Sequence, residues 1–209
     1  SPWLMGAIIN SSGGFAGAFV AFAIIEALFL VYEDDDNTIK ANTLWALAIS
    51  DAVRHAAVIE QLWRRACAAP VEQWESEHYT QLSQVQLALR WEVEDSELAA
   101  LPSAELQARM DGAERDEITS KSQREVSEDL RKLGWAHEEE QSVNGVIVDM
   151  LGTDGVVCQY DGPWHYSTCP ATREPREDGP TVWNTRVLER MGGRVVARNR
   201  AAAESFRHA

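Results

Sequence analysis

Apolar residues recur at helical spacing through the first half of the chain and predict a series of packed helices. The first helix follows an acidic break at 33–37, whose charges suit a helix start, and its packing face includes Leu44. A second helix is predicted over 56–69, where a proline follows, and a third over 78–89, where apolar residues again fall at helical spacing. The N-terminal region therefore reads as all-α.

The helical periodicity is lost after residue 95. The segment 96–113 is acidic and polar and contains Pro102, and we predict a mobile or partner-wrapped connection there. This places an α-helical repeat-like region at 1–95, an acidic linker at 96–117 and a C-terminal domain at 118–209.

The C-terminal domain opens with another amphipathic helix. Ser122 and Glu125 have the spacing of a capping box, in which each side chain bonds a backbone amide of the first turn. The predicted apolar face consists of Val126, Leu130 and Leu133. Gly134 has the position of the residue that ends a helix in a left-handed conformation.

Beyond this helix the apolar runs are short and are separated by turn residues, which is typical of strands. The predicted elements are strands at 140–143, 146–151 and 156–160, a helix at 181–191 and a strand at 194–197. Asn144-Gly145 favours a two-residue hairpin turn between the first two strands. The last strand follows a helix, so we expect a crossover connection that makes it parallel to the third strand.

A run of apolar and small residues at 13–32 has the length of a membrane span. Glu26 lies within it and would cost a few kcal/mol at the centre of a bilayer, and three glycines weaken its start. A fully buried helix of an all-α domain accounts for the same pattern. We favour the buried helix and do not expect a membrane partner.

Composition excludes some classes of protein and leaves others open. The 209 residues are 45% hydrophobic, which suffices for a packed core, and the net charge is −14. Three cysteines form neither a disulfide framework nor a zinc motif, and Cys158 has the setting of a small buried hydrophobe. An RNA-binding protein usually carries a basic face. Here basic residues outnumber acidic ones only from Arg186 onward.

The segment 156–166 carries the most specific signal of the chain. A short apolar strand ends in Asp161-Gly-Pro, and then His165 lies between Trp164 and Tyr166. This arrangement resembles the RAP domain, a module found at the C-terminus of organellar RNA-metabolism proteins. The resemblance covers about 120–200 and implies a restriction-endonuclease-like α/β fold, hence α+β for the whole chain.

A second resemblance lies in the helical region. The string Asn-Thr-Leu-Trp-Ala-Leu-Ala at 42–48 is similar to the signature of octotricopeptide-type repeats, which precede RAP domains in algal and related organellar proteins. One clear copy is present, whereas a solenoid buries its faces only by stacking several repeats. The chain therefore keeps either the last repeats or a degenerate capping domain.

The nuclease-like fold implies a site that is degenerate in this chain. Metal-dependent members use an Asp on the second strand and a Glu-x-Lys on the third. Asp149 occupies the first position, but Gln159 replaces the Glu, and Asp161 stands where the Lys would be. A neutral amide cannot supply the charge that a hard cation requires. Glu125 could contribute a carboxylate, although capping explains it equally well. We therefore expect no catalysis, no metal and no cofactor.

Asp149 and Asp161 have other interpretations, namely structural hydrogen bonds or polar contacts to RNA. The predicted RNA-binding residues are the local aromatic and basic ones: Trp164, His165, Tyr166, Arg186, Arg190, Arg194 and Arg198. The aromatic rings could stack on unpaired bases or cover the end of the sheet. The arginines could bind phosphate or form a solvated face. Asn184 replaces a residue that is usually basic in the family.

The resemblances imply a non-catalytic organellar RNA-binding protein. Its expected partners are RNA, including rRNA, and neighbouring proteins of a ribonucleoprotein such as the mitochondrial ribosome. The alternatives are an RNA endonuclease that processes organellar transcripts and a membrane-anchored assembly factor using 13–32. The expected compartment is the mitochondrion, with the plastid as the alternative. The first residues, Ser-Pro-Trp, suggest a processed form or a fragment.

Overall fold

The computed structural model describes residues 37–113, 120–162, 165–168 and 175–199. Two compact units divide the chain. The first comprises 1–115 together with 168–175, and the second comprises 116–167 together with 176–209. Each unit is described by itself below. The apolar run at 13–32, with its predicted helix or membrane span, lies outside the described residues.

The first unit is helical. Its elements are α1 (Asn37–Asp51), α2 (Ala56–Ala68), a 3₁₀ turn (Val71–Gln73), α3 (Ser76–Trp91), α4 (Ser96–Ala99) and α5 (Ala104–Asp111). These bounds confirm the three helices predicted before residue 95. No helix among the described residues is long and apolar enough to cross a bilayer.

The core of this unit forms because apolar side chains of α1, α2 and α3 converge. Leu44, Ile59 and Leu82 are completely buried in one cluster. Trp63 is also completely buried, and its indole N–H donates to the Leu98 carbonyl at 2.8 Å. That bond satisfies a polar group that would otherwise lose its water partner. Helix α2 is thereby held to α4.

The expectation of a mobile connection over 96–113 is wrong. The Asp95 side chain caps α4 and the Ser103 side chain caps α5. Leu98, Leu106 and Met110 are buried in the same core as the earlier helices. Two short helices present too few apolar residues for a long periodic pattern, so their caps were the better indication of structure.

The second unit is a mixed sheet with two helices of 12 residues each. Its elements are α6 (Lys121–Lys132), β1 (His137–Val143), β2 (Val146–Gly152), β3 (Val156–Asp161), β4 (Tyr166–Thr168), β5 (Pro175–Glu177), α7 (Gly179–Arg190) and β6 (Arg194–Asn199). The main sheet has the order β1-β2-β3-β6, and β4 pairs with β5 separately. Strand β6 is parallel to β3, as predicted. The molecule is therefore α+β, with helices preceding strands.

Two details of α6 differ from prediction. The N-cap is Ser120, whose hydroxyl accepts from the Gln123 amide, so the predicted capping box at Ser122 and Glu125 is wrong. Leu133 is 80% exposed, whereas Leu130 packs on Met150 and Cys158 of the sheet. Serine at 120 and serine at 122 are both plausible caps in sequence, and the sequence does not distinguish between them.

The hairpin between β1 and β2 turns as its sequence predicts. Asn144 and Gly145 both have positive φ, at 51° and 94°, which matches a type I′ turn. Gly152, at the end of β2, has a different role. A Cβ there would lie 2.6 Å from the Trp135 ring and 2.3 Å from an Asp154 carboxylate oxygen. This close approach requires glycine.

Candidate functional site

The candidate site lies where β2 and β3 separate. Their backbone pairing covers Met150 with Cys158 and Leu151 with Val157. At the next pair of positions, Asp149 and Gln159, hydrogen bonds from side chains replace the backbone-to-backbone hydrogen bonds between the two strands. The Asp149 amide donates to Gln159 Oε1 at 3.0 Å, and the Tyr160 amide donates to Asp149 Oδ2 at 2.5 Å. The side chains therefore satisfy amide groups that the strands leave unpaired.

Burial makes the Asp149 carboxylate costly to ionise. Its pKa is raised from 3.8 to about 6, chiefly by desolvation and also by the neighbouring charges of Glu140 and Asp161. The hydrogen bond from the Tyr160 amide and the His165 ring act in the opposite direction. A carboxyl that titrates near pH 6 can hold or release a proton in the physiological range, which is typical of functional sites.

Asp161 ends β3 and is only 4% exposed. Its Oδ2 has no hydrogen-bond partner among the described residues. Burial raises the pKa of this carboxyl, and His165 opposes that increase. An unsatisfied buried oxygen is unusual in proteins.

Glu140 and Gln123 belong to this site, although the sequence did not indicate them. Glu140 has a φ of 52° within β1, which is uncommon for a residue with a side chain. Gln123, buried on α6, donates its amide to Glu140 Oε1 at 2.7 Å. Glu140 is half-buried, and the acidic run 138–140 at the start of a predicted strand was its only signal in the sequence. Glu125 instead pairs with Lys121 at 3.7 Å on the exposed side of α6.

His165 connects the end of the sheet to the start of α7. Its Nδ1 lies 2.9 Å from the hydroxyl of Thr181, and its carbonyl accepts from the Asp178 amide at 2.8 Å. Asp178 caps α7 through the Thr181 amide. His165 is exposed and Tyr166 is half-buried, while Trp164 lies outside the described residues. The structure thus places His165 beside Asp161, as electrostatic coupling between them indicates.

The predicted basic residues lie on α7 and β6. Arg186 and Arg190 are one turn apart on α7 and therefore share a face. Arg194 begins β6 with its side chain 78% exposed and lies 4.0 Å from Asp154. Arg198 is also on β6, with its side chain outside the described part of the structure. Positions 194 and 198 are on the same face of that strand.

Metal-ligand geometry occurs at a different place. Among the described residues, Glu75, Glu77 and His78 bring three ligand-type atoms within 4.8 Å; the carboxylates around Asp149 form no such set. However, His78 Nδ1 accepts from the Glu75 amide at 3.1 Å. Its Nε2 must then carry the ring proton and has no lone pair for a metal. The capping role of Glu75 and His78 explains this cluster.

Comparison with known proteins adds no relative: no protein-family model matches the chain, and neither does any curated protein. The RAP and octotricopeptide resemblances remain predictions from the motifs. The site itself consists of Asp149 on β2 with Gln159 and Asp161 on β3, and the charge of Asp161 contributes to the raised pKa of Asp149. Such a group can accept hydrogen bonds and hold protons.

Proposed function

We propose that the chain is a non-catalytic RNA-binding protein and a structural component of a ribonucleoprotein such as the mitochondrial ribosome. The observation that carries the non-catalytic part is the bonding of Asp149 and Gln159. Both side chains accept from backbone amides across the opening between β2 and β3. In nuclease-like folds these two positions would face a metal ion. Here they stabilise the sheet, and Gln159 contributes no charge.

The proposed RNA contact is the arginine surface formed by Arg186, Arg190, Arg194 and Arg198. Its support is local charge and exposure, because Arg190 and Arg194 are exposed in a chain whose net charge is −14. Arginine binds phosphate through paired N–H donors, and such contacts dominate the affinity of nucleic-acid binders. Arg194 lies in a long ion pair with Asp154, at 4.0 Å, and phosphate could replace that partner.

His165 and Tyr166, together with Trp164, are the proposed contacts to unpaired bases. Single-stranded RNA is commonly recognised by stacking on His, Tyr or Trp rings. His165 is exposed and its ring is oriented by the Thr181 hydroxyl at 2.9 Å. An oriented and accessible ring loses little side-chain entropy on binding.

The net negative charge of the chain supports the proposal that it binds other proteins within a ribonucleoprotein. A free RNA-binding protein with a net charge of −14 would repel phosphate over most of its surface. Inside a ribonucleoprotein, basic neighbouring proteins can contact the acidic surface while the arginine surface meets rRNA. The mitochondrion is the proposed compartment, and the plastid is the alternative; both derive from the motif resemblances.

Charge reversal at the arginine surface tests the proposal. The variant carries Arg190→Glu and Arg194→Glu, and its binding to a labelled single-stranded RNA of mixed sequence is titrated at several salt concentrations. If these arginines neutralise two phosphates, affinity falls and the slope of log K against log salt decreases in magnitude by about 1.4.

The matched control carries Arg54→Glu and Arg109→Glu, two exposed arginines of the helical unit. It changes the net charge by the same amount. Equal losses of RNA affinity in both variants would therefore mean that affinity depends only on the overall charge of the protein. Unchanged RNA affinity in the Arg190 and Arg194 variant would refute the arginine surface. Circular dichroism of both variants establishes that they are folded.

A further inference from the structure

Two ring side chains border the space above Gly162, the residue that follows β3. A Cβ atom built on Gly162 would lie 3.9 Å from Tyr160 Cε1 and 3.9 Å from His165 Cδ2. Apart from the chain neighbours of Gly162, no other described residue comes within 4 Å of that position. Carbon atoms at this separation are in van der Waals contact. An atom placed above Gly162 therefore touches both rings at once.

The fold does not itself require glycine at position 162. The φ of Gly162 is outside the left-handed region, and 3.9 Å leaves room for a methyl group. Gly152 is the contrast, because a Cβ there would overlap the Trp135 ring. Gly162 is half-buried, so solvent reaches it. A glycine that neither backbone conformation nor packing demands suits a place where a ligand approaches the main chain closely.

Both rings beside Gly162 are held in place by the protein. The His165 amide donates to the Gly162 carbonyl at 3.0 Å, which closes a tight turn. The His165 carbonyl accepts from the Asp178 amide at 2.8 Å, and its Nδ1 lies 2.9 Å from the Thr181 hydroxyl. Tyr160 is half-buried and packs on the apolar cluster beneath α6. Side chains that are fixed in this way lose little entropy when a ligand binds.

The face of the sheet that carries Tyr160 continues onto β6. Tyr160 pairs in register with Arg198, and Val196 and Arg194 precede Arg198 on β6 in steps of two residues. Alternate residues of a strand face the same side, and positions 194 to 198 span ~13 Å. Val196 is 40% exposed and the Arg194 side chain is 78% exposed, so this part of the face is open to solvent. An RNA strand along β6 can therefore place phosphates beside arginine positions and a base beside Tyr160.

We propose that Tyr160, Gly162 and His165 form a base-binding slot, which takes one unpaired nucleobase of a single-stranded RNA whose phosphates contact the arginine surface. The inference rests on the proposed RNA-binding function and adds Tyr160 and Gly162 to its contacts. The base lies over Gly162 and touches both rings. Unpaired bases commonly stack on tyrosine and histidine rings, whereas bases inside a duplex have both faces covered. The slot is therefore specific for single strands and tolerant of sequence.

Gly162→Ala tests the slot, because its methyl group occupies the position that the base takes. The full-length variant is titrated with a labelled single-stranded RNA of mixed sequence and with the duplex of that RNA and its complement. We expect about tenfold weaker binding of the single strand, as the loss of one base stack requires, and unchanged binding of the duplex. The temperature of unfolding should equal or exceed that of the native protein, since alanine is compatible with this backbone.

Gly112→Ala is the matched control. It makes the same change at an exposed glycine of the helical unit, whose φ of −90° also accepts alanine. Its affinity for the single strand should equal that of the native protein. Equal losses for single strand and duplex in Gly162→Ala would mean a general disturbance of the surface and would overturn the slot.

Substitutions of Tyr160 separate stacking from packing. Leucine keeps an apolar contact with the cluster beneath α6 but has no aromatic face, whereas phenylalanine keeps both. Tyr160→Leu should therefore bind the single strand about tenfold more weakly than the native protein. Tyr160→Phe should bind it more tightly than Tyr160→Leu does. Equal affinities of the two variants would show that the ring of residue 160 does not contact a base.

The same titrations distinguish the slot from the proposed function on which it rests. If Gly162→Ala and Tyr160→Leu bind the single strand as the native protein does while Arg190→Glu with Arg194→Glu weakens binding, RNA binding stands and the slot is refuted. If the native protein binds neither RNA, both fail together. Loss of ribonucleoprotein association with unchanged RNA affinity in Gly162→Ala would mean that the slot takes a protein side chain, which also overturns the nucleobase assignment.

Discussion

At the scale of single residues, the candidate site contains two buried carboxyl groups, Asp149 and Asp161, whose ionised forms are destabilised by the loss of water. Asp149 was predicted from the sequence as a degenerate nuclease position, but its actual partner, the Tyr160 amide, depends on how β2 and β3 separate. Glu140 was not predicted, because its electrostatic effect on Asp149 depends on how β1 pairs with β2. Sequence identifies which residues can ionise; tertiary burial decides which of them are perturbed.

Asp149→Asn should stabilise the protein at neutral pH. The pKa of Asp149 is raised in the folded state to about 6, so the native protein binds its proton more tightly than the unfolded chain does. The associated stabilisation is complete below about pH 4 and is lost as pH rises through 6. Asparagine can still accept from the Tyr160 amide but has no charge to desolvate.

The expected gain is about 1–3 kcal/mol at pH 7.5, and it should shrink towards pH 4. Urea unfolding at the two pH values measures it. Glu138→Gln is the control, since Glu138 is exposed on β1 and should change stability little at either pH. A less stable Asp149→Asn protein at pH 7.5 would mean that the ionised carboxylate is needed for folding.

Gln159 leads to a prediction about activity. Residue 159 is a neutral amide, and the proposed nuclease-like resemblance places Asp161 where a lysine would be, so we expect weak metal binding and weak water activation. Single-stranded RNA incubated with Mg²⁺ or Mn²⁺ should therefore not be cleaved by the protein above the level of an Asp149→Ala control. Cleavage that disappears in that control would establish a nuclease and refute the non-catalytic proposal.

At the scale of elements, long periodic segments were predictable and short ones were not. Helices α1, α2 and α3 follow from apolar spacing, and the β1–β2 hairpin follows from Asn144-Gly145. The parallel pairing of β6 with β3 follows from the crossover rule. Helices α4 and α5 were not predicted, because they are short and their capping residues Asp95 and Ser103 lie in an acidic, polar segment.

The separation of β2 from β3 could not have been read from the sequence. Both strands are continuous apolar runs near Met150 and Cys158, and nothing in their pattern indicates where backbone pairing stops. The polar residues Asp149 and Gln159 interrupt those runs, but an interruption alone also suits a solvent-facing position. Only the mutual bonding of the two side chains with backbone amides distinguishes a structural role from a ligand-binding one.

At the scale of the whole molecule, charge distribution leads to the final prediction. The chain has a net charge of −14, yet the proposed RNA contact is a local arginine surface. A transient RNA factor would depend on those few phosphate contacts and would dissociate as salt rises. A structural subunit would also bury surface against proteins, which salt weakens much less.

Co-sedimentation with ribosomal subunits distinguishes these cases. We expect the native protein to migrate with a subunit at both moderate and high salt, since protein contacts remain when phosphate contacts are screened. The variant with Arg190→Glu and Arg194→Glu should be less abundant in the subunit fractions than the native protein. The variant with Arg54→Glu and Arg109→Glu is its charge-matched control. Release of the native protein at moderate salt would instead identify a transient RNA factor, and absence from the subunit fractions at low salt would exclude the ribosome as the partner.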